Sequence, residues 1–167
     1  MGKLYYVVKF LDFWHISSGE SGGAIYDYLV KKDNNMMPYI PGKTIKGLVR
    51  ENAEKLGKKE FVNNVLDNSS SFFSNLYIID KEEIINSSLQ PYLFKTLTFT
   101  AIDKKGIAKD NTLREIEFVV PVSLEGYIEI EDKYIEELKL ILSQIKRMGL
   151  NRNRGFGRCN IYFKDEK

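Results

Sequence analysis

The sequence predicts an α+β fold, a small sheet carrying two helices with a long hairpin inserted between them. Three observations predict it. An almost continuous apolar run, Leu4 to Trp14, opens the chain. Two stretches, Ile45 to Leu56 and Ile135 to Met148, carry apolar residues at helical spacing, and two β-rich runs, Phe94 to Ile102 and Leu113 to Val122, flank a polar tip. With 167 residues and 43% hydrophobic content, the chain has material for the core of one domain.

Leu4 to Trp14, rich in Tyr, Val and Phe, reads as a strand buried on both faces at the centre of the sheet. His15 stands at its end, either as a packed, hydrogen-bonded histidine or as a base, since imidazole titrates near neutrality. A glycine-serine loop, Ser17 to Gly23, follows. Asp27 and Asp33 bracket Tyr28 to Lys32; carboxylates so placed either bind a metal or cap turns, and Asn34-Asn35 supports a turn. Pro41-Gly42 reads as a turn and Thr44 as the N-cap of a helix whose apolar face is Ile45, Leu48, Val49, Ala53 and Leu56. Free amides at that helix start, with Lys43, Lys46 and Arg50 beside them, suit phosphate. The glycine spacing of a Walker-type loop is absent, which excludes a nucleotide hydrolase of that kind.

Gly57 to Ser71 reads as a polar connection, helical or looped. Asn75 to Asp80 is a short strand, and Lys81 to Tyr92 is poorly patterned. The hairpin comes next, its tip at Asp103 to Asn111 polar and basic. Gly126 to Ile130 alternates as a strand does, the helix to Met148 ends on Gly149, and Arg158 to Phe163 is the last strand. The order is strand, helix, strand, hairpin excursion, strand, helix, strand. That is the ferredoxin-like (RRM-like) plan, a split βαβ.

Composition narrows function mainly by exclusion. A net charge of +2 is too mild to argue for nucleic acid by itself, so the placement of charges has to carry that case. The lone Cys159 excludes an internal disulfide or a cysteine-built zinc site and fits a reducing cytoplasm. The single His15 excludes a two-histidine metal site. The N-terminus shows no signal-peptide pattern and no apolar run is long enough to span a bilayer, so the expected location is cytoplasmic.

Placement of charge points to the stretch from Met148 to Arg158, with three glycines and the arginines Arg152, Arg154 and Arg158. Glycine permits positive φ and close backbone approach, and the guanidinium fork fits phosphate, so such a loop suits a polyanion. The other reading is a solvated turn between helix and strand. Arg154-Gly155-Phe156-Gly157 matches the first half of the RNA-recognition-motif signature, but Arg158 and Ile161 stand where aromatics belong.

Three segments together resemble the RAMP superfamily of CRISPR-associated proteins. Gly149 to Gly157 resembles its C-terminal glycine-rich loop. Pro38 to Arg50 resembles the proline-glycine-lysine-glycine-arginine motif of type III effector backbone subunits. Thr100 to Glu117 resembles their thumb, a hairpin with an aspartate-x-x-glycine turn and a glutamate-rich strand. The resemblance implies one domain over residues 1–167, a ferredoxin-like palm with a thumb insertion at about 94–118, and a place in a filament of subunits on a CRISPR guide RNA.

It also implies partners: guide RNA, complementary target RNA, other effector subunits and copies of the chain itself. The implied RNA contacts are Lys43, Thr44, Lys46, Arg50, Lys104, Lys105, Arg152, Arg154, Gly155, Gly157 and Arg158. Asp27 matches the aspartate that precedes the proline-glycine motif in the RNA-cleaving subunits, Asp33 a second aspartate, and His15 a histidine at the end of the first strand. On that match Asp27 is the catalytic residue and the ligand of Mg2+ or another divalent cation, His15 positions the loop, and the chain is an endoribonuclease acting on target RNA. The alternatives are a non-catalytic structural RNA-binding subunit and a metal-independent guide-processing endoribonuclease that uses a histidine. Leu150 and Asn151 stand where the family commonly has glycine, and the chain is short for a backbone subunit. Either a separate small subunit or one module of a fused effector accommodates those departures.

Overall fold

A computed structural model describes residues 1–17, 28–68, 70–110 and 112–164. Asp27 and most of the glycine-serine loop lie outside the described residues.

Strand β1, Gly2–Phe10, is paired on both sides. Its Leu4, Tyr6, Val8 and Phe10 are buried, whereas Lys3, Tyr5, Val7 and Lys9 alternate to the other face. This corrects the reading of Leu4 to Trp14 as one strand buried on both sides. Tyr5 and Val7 read as apolar in sequence but stand on the sheet's open side. The chain turns after Phe10, and Trp14 rejoins the structure elsewhere: its ring stacks on Phe10 at 4.5 Å and its Nε1 donates to the Val120 carbonyl at 3.2 Å.

β2, Tyr39–Ile40, leads into helix α1, Gly42–Lys55. The N-cap is Pro41, and Thr44 lies inside the first turn, with its amide on the Pro41 carbonyl at 2.9 Å. The Gly42 amide donates to Asn75 Oδ1 at 3.0 Å, so a side chain from a later turn supplies the cap expected of Thr44. The buried stripe is Ile45, Leu48, Val49 and Ala53; Leu56 is the C-cap and is exposed. Helix α2, Lys59–Phe61, continues as a π-helical turn, Val62–Asp67, and buries Phe61, Val62, Val65 and Leu66. β3, Phe72–Phe73, and β4, Leu76–Ile78, follow, then α3, Lys81–Asn86.

β5, Phe94–Phe99, and β6, Arg114–Val119, form a separate two-stranded antiparallel sheet, each strand shorter than its β-rich run. β7, Ser123–Ile130, begins three residues before the predicted Gly126. α4, Ile135–Ser143, buries Leu138, Ile141 and Leu142 and stops well short of Met148. β8, Cys159–Phe163, closes the fold.

The main sheet runs β2-β4-β7-β1-β8, with β3 also on β7, and its pairings are antiparallel. α1 and α4 touch each other and pack over the side carrying Leu4, Tyr6 and Val8, so the core is a single apolar layer between helices and sheet. The result is a mixed α+β fold on an antiparallel sheet. No helix among the described residues is long and apolar enough to cross a membrane.

Candidate nucleic-acid interface

The glycine-rich loop is fastened at its neck. Met148 N donates to the Gly157 carbonyl at 3.0 Å and Cys159 N to the Lys146 carbonyl at 2.9 Å. This pairing explains the early end of α4: residues 146–148 bond to the outgoing chain instead of continuing the helix, while Ile145 and Met148 stay buried. The loop is then tied to the tail of β1, with Gly157 N on the Phe13 carbonyl at 2.8 Å and Leu150 N on the His15 carbonyl at 2.9 Å.

The three glycines do different things. A Cβ on Gly157 would lie 2.0 Å from the Met148 carbonyl oxygen, and one on Gly149 2.4 Å from the His15 carbonyl oxygen. Their close approach is to the chain itself. Gly155, at φ +89°, has open space where its Cβ would stand, so it is the loop glycine with backbone open to a ligand.

Phe156 faces inward. Its ring stacks on Phe118 of β6 at 4.5 Å and 28° and meets the edge of Phe99 of β5 at 5.9 Å. The loop is thereby docked on the hairpin. That contact brings in Arg114, which the sequence reading missed. Arg114 begins β6 opposite Phe99 and lines an open cleft of about 480 Å³ with Gly149, Leu150, Asn151, Arg152, Asn153 and Arg154. Only the hairpin register places it there, so the sequence offers no local signal.

The arginines are not equivalent. Arg152 donates to both oxygens of Glu51 on α1 at 3.2 and 3.3 Å. Glu51 also takes the Lys55 ammonium at 2.6 Å. That Lys55 bond, with Arg152 adding to it against the opposing effect of burial, holds the Glu51 carboxyl below the usual carboxylate range. A second cleft, about 340 Å³, lies between α1 and the loop and is edged by Lys55, Lys146, Arg147 and Arg152. Arg158 pairs with Asp12 at 3.1 Å. Arg154 is exposed and has no ion pair among the described residues.

On α1, Lys43 is exposed, Thr44 and Lys46 are half-buried, and Arg50 is engaged by Asp67 at 2.6 Å. Gly47, between them, is exposed with open space at its Cβ position. The amides expected to cradle phosphate are partly taken by Asn75 and Pro41, so cationic side chains, not the helix start alone, are what this edge offers an anion. Lys104 and Lys105 sit exposed on the hairpin tip, on a turn closed by Asp103, whose Oδ1 accepts the amides of Lys105 at 2.8 Å and Ile107 at 3.0 Å. No hydrogen bond or ion pair joins them to the glycine-rich loop among the described residues.

His15 is fully buried. Its Nδ1 lies 2.6 Å from the Glu117 carbonyl oxygen, which only accepts, so Nδ1 carries the proton. Burial pushes its pKa down despite that bond. Nε2 has no partner among the described residues, and Phe118 and Tyr28 approach the ring edge-on at 5.9 and 6.5 Å. Asp33 closes a turn through the amides of Asn35 and Met37 and binds Lys81 at 2.6 Å; these bonds outweigh burial and lower its pKa. No group of three or more His, Cys, Asp or Glu side chains that could hold a metal is present among the described residues.

A family model described as the RAMP superfamily matches residues 7–160. No curated protein matches the sequence. Among solved structures, the fold is similar to a chain of the cryo-EM structure of the type III-B Cmr-beta bound to cognate target RNA, with TM-score 0.78 and 10% identity over 98% of this chain and 97% of that one. It is also similar to a chain of the apo-state cryo-EM structure of type III-B Cmr-beta, with TM-score 0.71 and 11% identity over 98% of each chain. The crystal structure of Cmr4 matches with TM-score 0.62 and 14% identity over 99% of this chain and all of that chain (100%). At these identities the likeness is one of fold.

Proposed function

This chain belongs to the RAMP superfamily, and from that membership we propose that it is an RNA-binding subunit of a type III-like CRISPR effector complex. It holds guide RNA along the edge formed by α1 and the glycine-rich loop, assembles with other effector subunits and copies of itself, and cuts the paired target RNA. The palm is ferredoxin-like, a reading supported by the strand order β4-β7-β1-β8 with two helices on one face, and the β5–β6 hairpin is its thumb.

The observation that carries the RNA reading is the cleft where Arg114, Arg152 and Arg154 converge beside the open backbone of Gly155. Guanidiniums beside an accessible backbone suit phosphate at close range. The test is Arg152→Ala/Arg154→Ala with RNAs of unrelated sequence. Affinity should fall similarly for all of them, because phosphate contacts carry no base information. The slope of log affinity against log salt should shrink by about 1.4, roughly 0.7 for each single-strand phosphate that is no longer neutralised. Unchanged affinity and slope reject the reading.

Cleavage rests on Asp27. RNA can be cut by its own 2′-hydroxyl attacking the adjacent phosphate, which asks the protein to align the attack and assist proton removal. Among the described residues no group of three or more potential ligands could hold a cation, and Asp33 is committed to its turn and Lys81, so that role stays on Asp27, where the family match puts it. Burial of His15 weighs against a histidine-driven, guide-processing enzyme, since a general base must reach the proton it removes. It favours, as the second reading, a subunit that holds RNA without cutting it.

A further inference from the structure

The glycine-rich loop and α1 leave the opposite side of the sheet unused. We propose that this open face is a second RNA surface, a platform on which unpaired bases stack; the inference rests on the reading of the chain as an RNA-binding subunit.

Register defines the face. Directly opposed residues of antiparallel strands point to the same side. Tyr5 of β1 is opposite Tyr127 of β7, Val7 is opposite both Glu125 and Tyr162, and Phe72 of β3 is opposite Glu129. The rings form a row across three strands: Phe72 and Tyr127 are 5.9 Å apart, Tyr127 and Tyr5 5.7 Å. Tyr77 continues the surface one strand over, stacked on Tyr39 at 5.8 Å. Phe72, Tyr5 and Tyr77 are 51%, 41% and 38% exposed, high for rings this large, and with Tyr127 they line a hollow of about 600 Å³. Two lysines lie over these rings, Lys3 over Tyr127 at 4.8 Å and Lys81 of α3 over Tyr77 at 4.6 Å, while α1 and α4 pack on the other side of the sheet.

Charge decides the occupant. The carboxylates on the face are neutralised within it, Glu129 by Lys3 at 2.9 Å and Glu125 by Lys164. Lys9 is left exposed without an ion pair among the described residues, next to Asn160 in register. One strand position before Cys159 stands Arg158, which alternation puts on the same side and which belongs to the neck of the glycine-rich loop. The face is therefore apolar and aromatic in its middle and joins the cationic edge at one end. That combination matches a single strand whose phosphates follow cations while its bases lie on rings. Tyr5 and Tyr127 also sit on the two central strands of the sheet, the strands from which RNA-recognition motifs present their stacking aromatics. The signature read at Arg154 to Gly157 fails, yet the rings are present on other residues.

The test uses the whole chain and four proteins: wild type, Tyr5→Ala/Tyr127→Ala, Tyr5→Phe/Tyr127→Phe, and Arg152→Ala/Arg154→Ala. Affinity is measured for a single-stranded RNA and for a duplex of equal length, whose base faces are hidden. Wild type should prefer the single strand. The alanine pair should lose that preference, with single-strand affinity down about tenfold or more, while duplex binding stays. The phenylalanine pair should behave as wild type, because the ring does the stacking. The arginine pair should weaken both RNAs and keep the preference, which separates this inference from the loop reading. Photocrosslinks from single-stranded RNA should fall on the peptides holding Tyr5 and Tyr127. The proposal is overturned if the alanine pair keeps the wild-type preference and crosslinks. It is equally overturned if that pair leaves RNA binding intact but abolishes self-association in sedimentation, which would make the face a protein-docking surface.

Discussion

Gly157→Ala and Gly155→Ala place the same methyl group at two positions of one loop with opposite surroundings. Both backbones are left-handed, at φ +70° and +89°, so both variants bear the cost of that conformation for a residue with a Cβ, about 1–2 kcal/mol. At Gly155 nothing stands within 4 Å, and the cost ends there. At Gly157 the new carbon would sit 2.0 Å from the Met148 carbonyl oxygen, well inside van der Waals contact. The backbone has to move, and the bonds at risk are Met148 N to the Gly157 carbonyl and Gly157 N to the Phe13 carbonyl. Two such bonds at about 1 kcal/mol each bring the total to roughly 3–4 kcal/mol. For a domain of this size each kcal/mol lowers the melting temperature by about 2–4 °C, giving a drop of roughly 6–16 °C for Gly157→Ala against about 2–8 °C for Gly155→Ala. Thermal and urea unfolding of the two variants measure this directly, and RNA titration should show the reverse order once each is compared as folded protein. Equal loss of stability, or a tighter RNA complex for Gly155→Ala, would refute the division of labour among the glycines.

Phe156→Ala should cost about 2 kcal/mol, less than a fully buried ring because Phe156 is only half-buried, and should loosen the hairpin; unchanged hydrogen-exchange protection over residues 94–119 would count against the docking contact. Asp27→Ala in the assembled, guide-loaded complex should leave target RNA bound while cleavage falls by orders of magnitude, with chelator mimicking the variant. Undiminished cleavage in either case removes Asp27 from the chemistry. His15 makes stability depend on pH with a definite sign. Its folded pKa lies below the ordinary 6.5, so between those values the unfolded chain binds the extra proton; stability is full above about pH 6.5 and declines as pH falls through that window. Urea midpoints from pH 8 to 5 should show the decline in wild type and lose it in His15→Gln, and identical profiles would remove His15 as the cause.

What the sequence disclosed depended on whether a feature was periodic or relational. α1 was legible because Ile45, Leu48, Val49 and Ala53 repeat at helical spacing, and the hairpin because two β-rich runs flank a polar, basic tip. The buried segment at 61–66 was not, because Asn63 and Asn64 interrupt its apolar residues and a π-helical turn shifts their spacing. α4 appeared too long because Ile145 and Met148 are buried at helical spacing even though their backbone pairs with the outgoing chain. Gly149, Gly155 and Gly157 look alike as letters; only tertiary neighbours separate the two that meet the chain's own carbonyls from the one that opens outward. Arg114 joined the loop through strand register, which no local pattern encodes.

The tail of β1 has a further consequence. Residues 13–16 make main-chain bonds with three separate stretches: the glycine-rich loop (Gly157 to Phe13, Leu150 to His15), β6 (Val119 to Trp14) and the segment at Lys31 (Lys31 to Ile16). His15 reaches Glu117 across 102 residues of chain. Contacts between such distant parts form slowly, since long loops must close before any of them is rewarded. The two bonds to the glycine-rich loop, at Phe13 and His15, close the longest loops of the set, whereas those to Lys31 and Val119 close shorter ones. The cationic edge therefore rests on contacts of long sequence separation, which form late in folding relative to local pairs such as the β5–β6 hairpin.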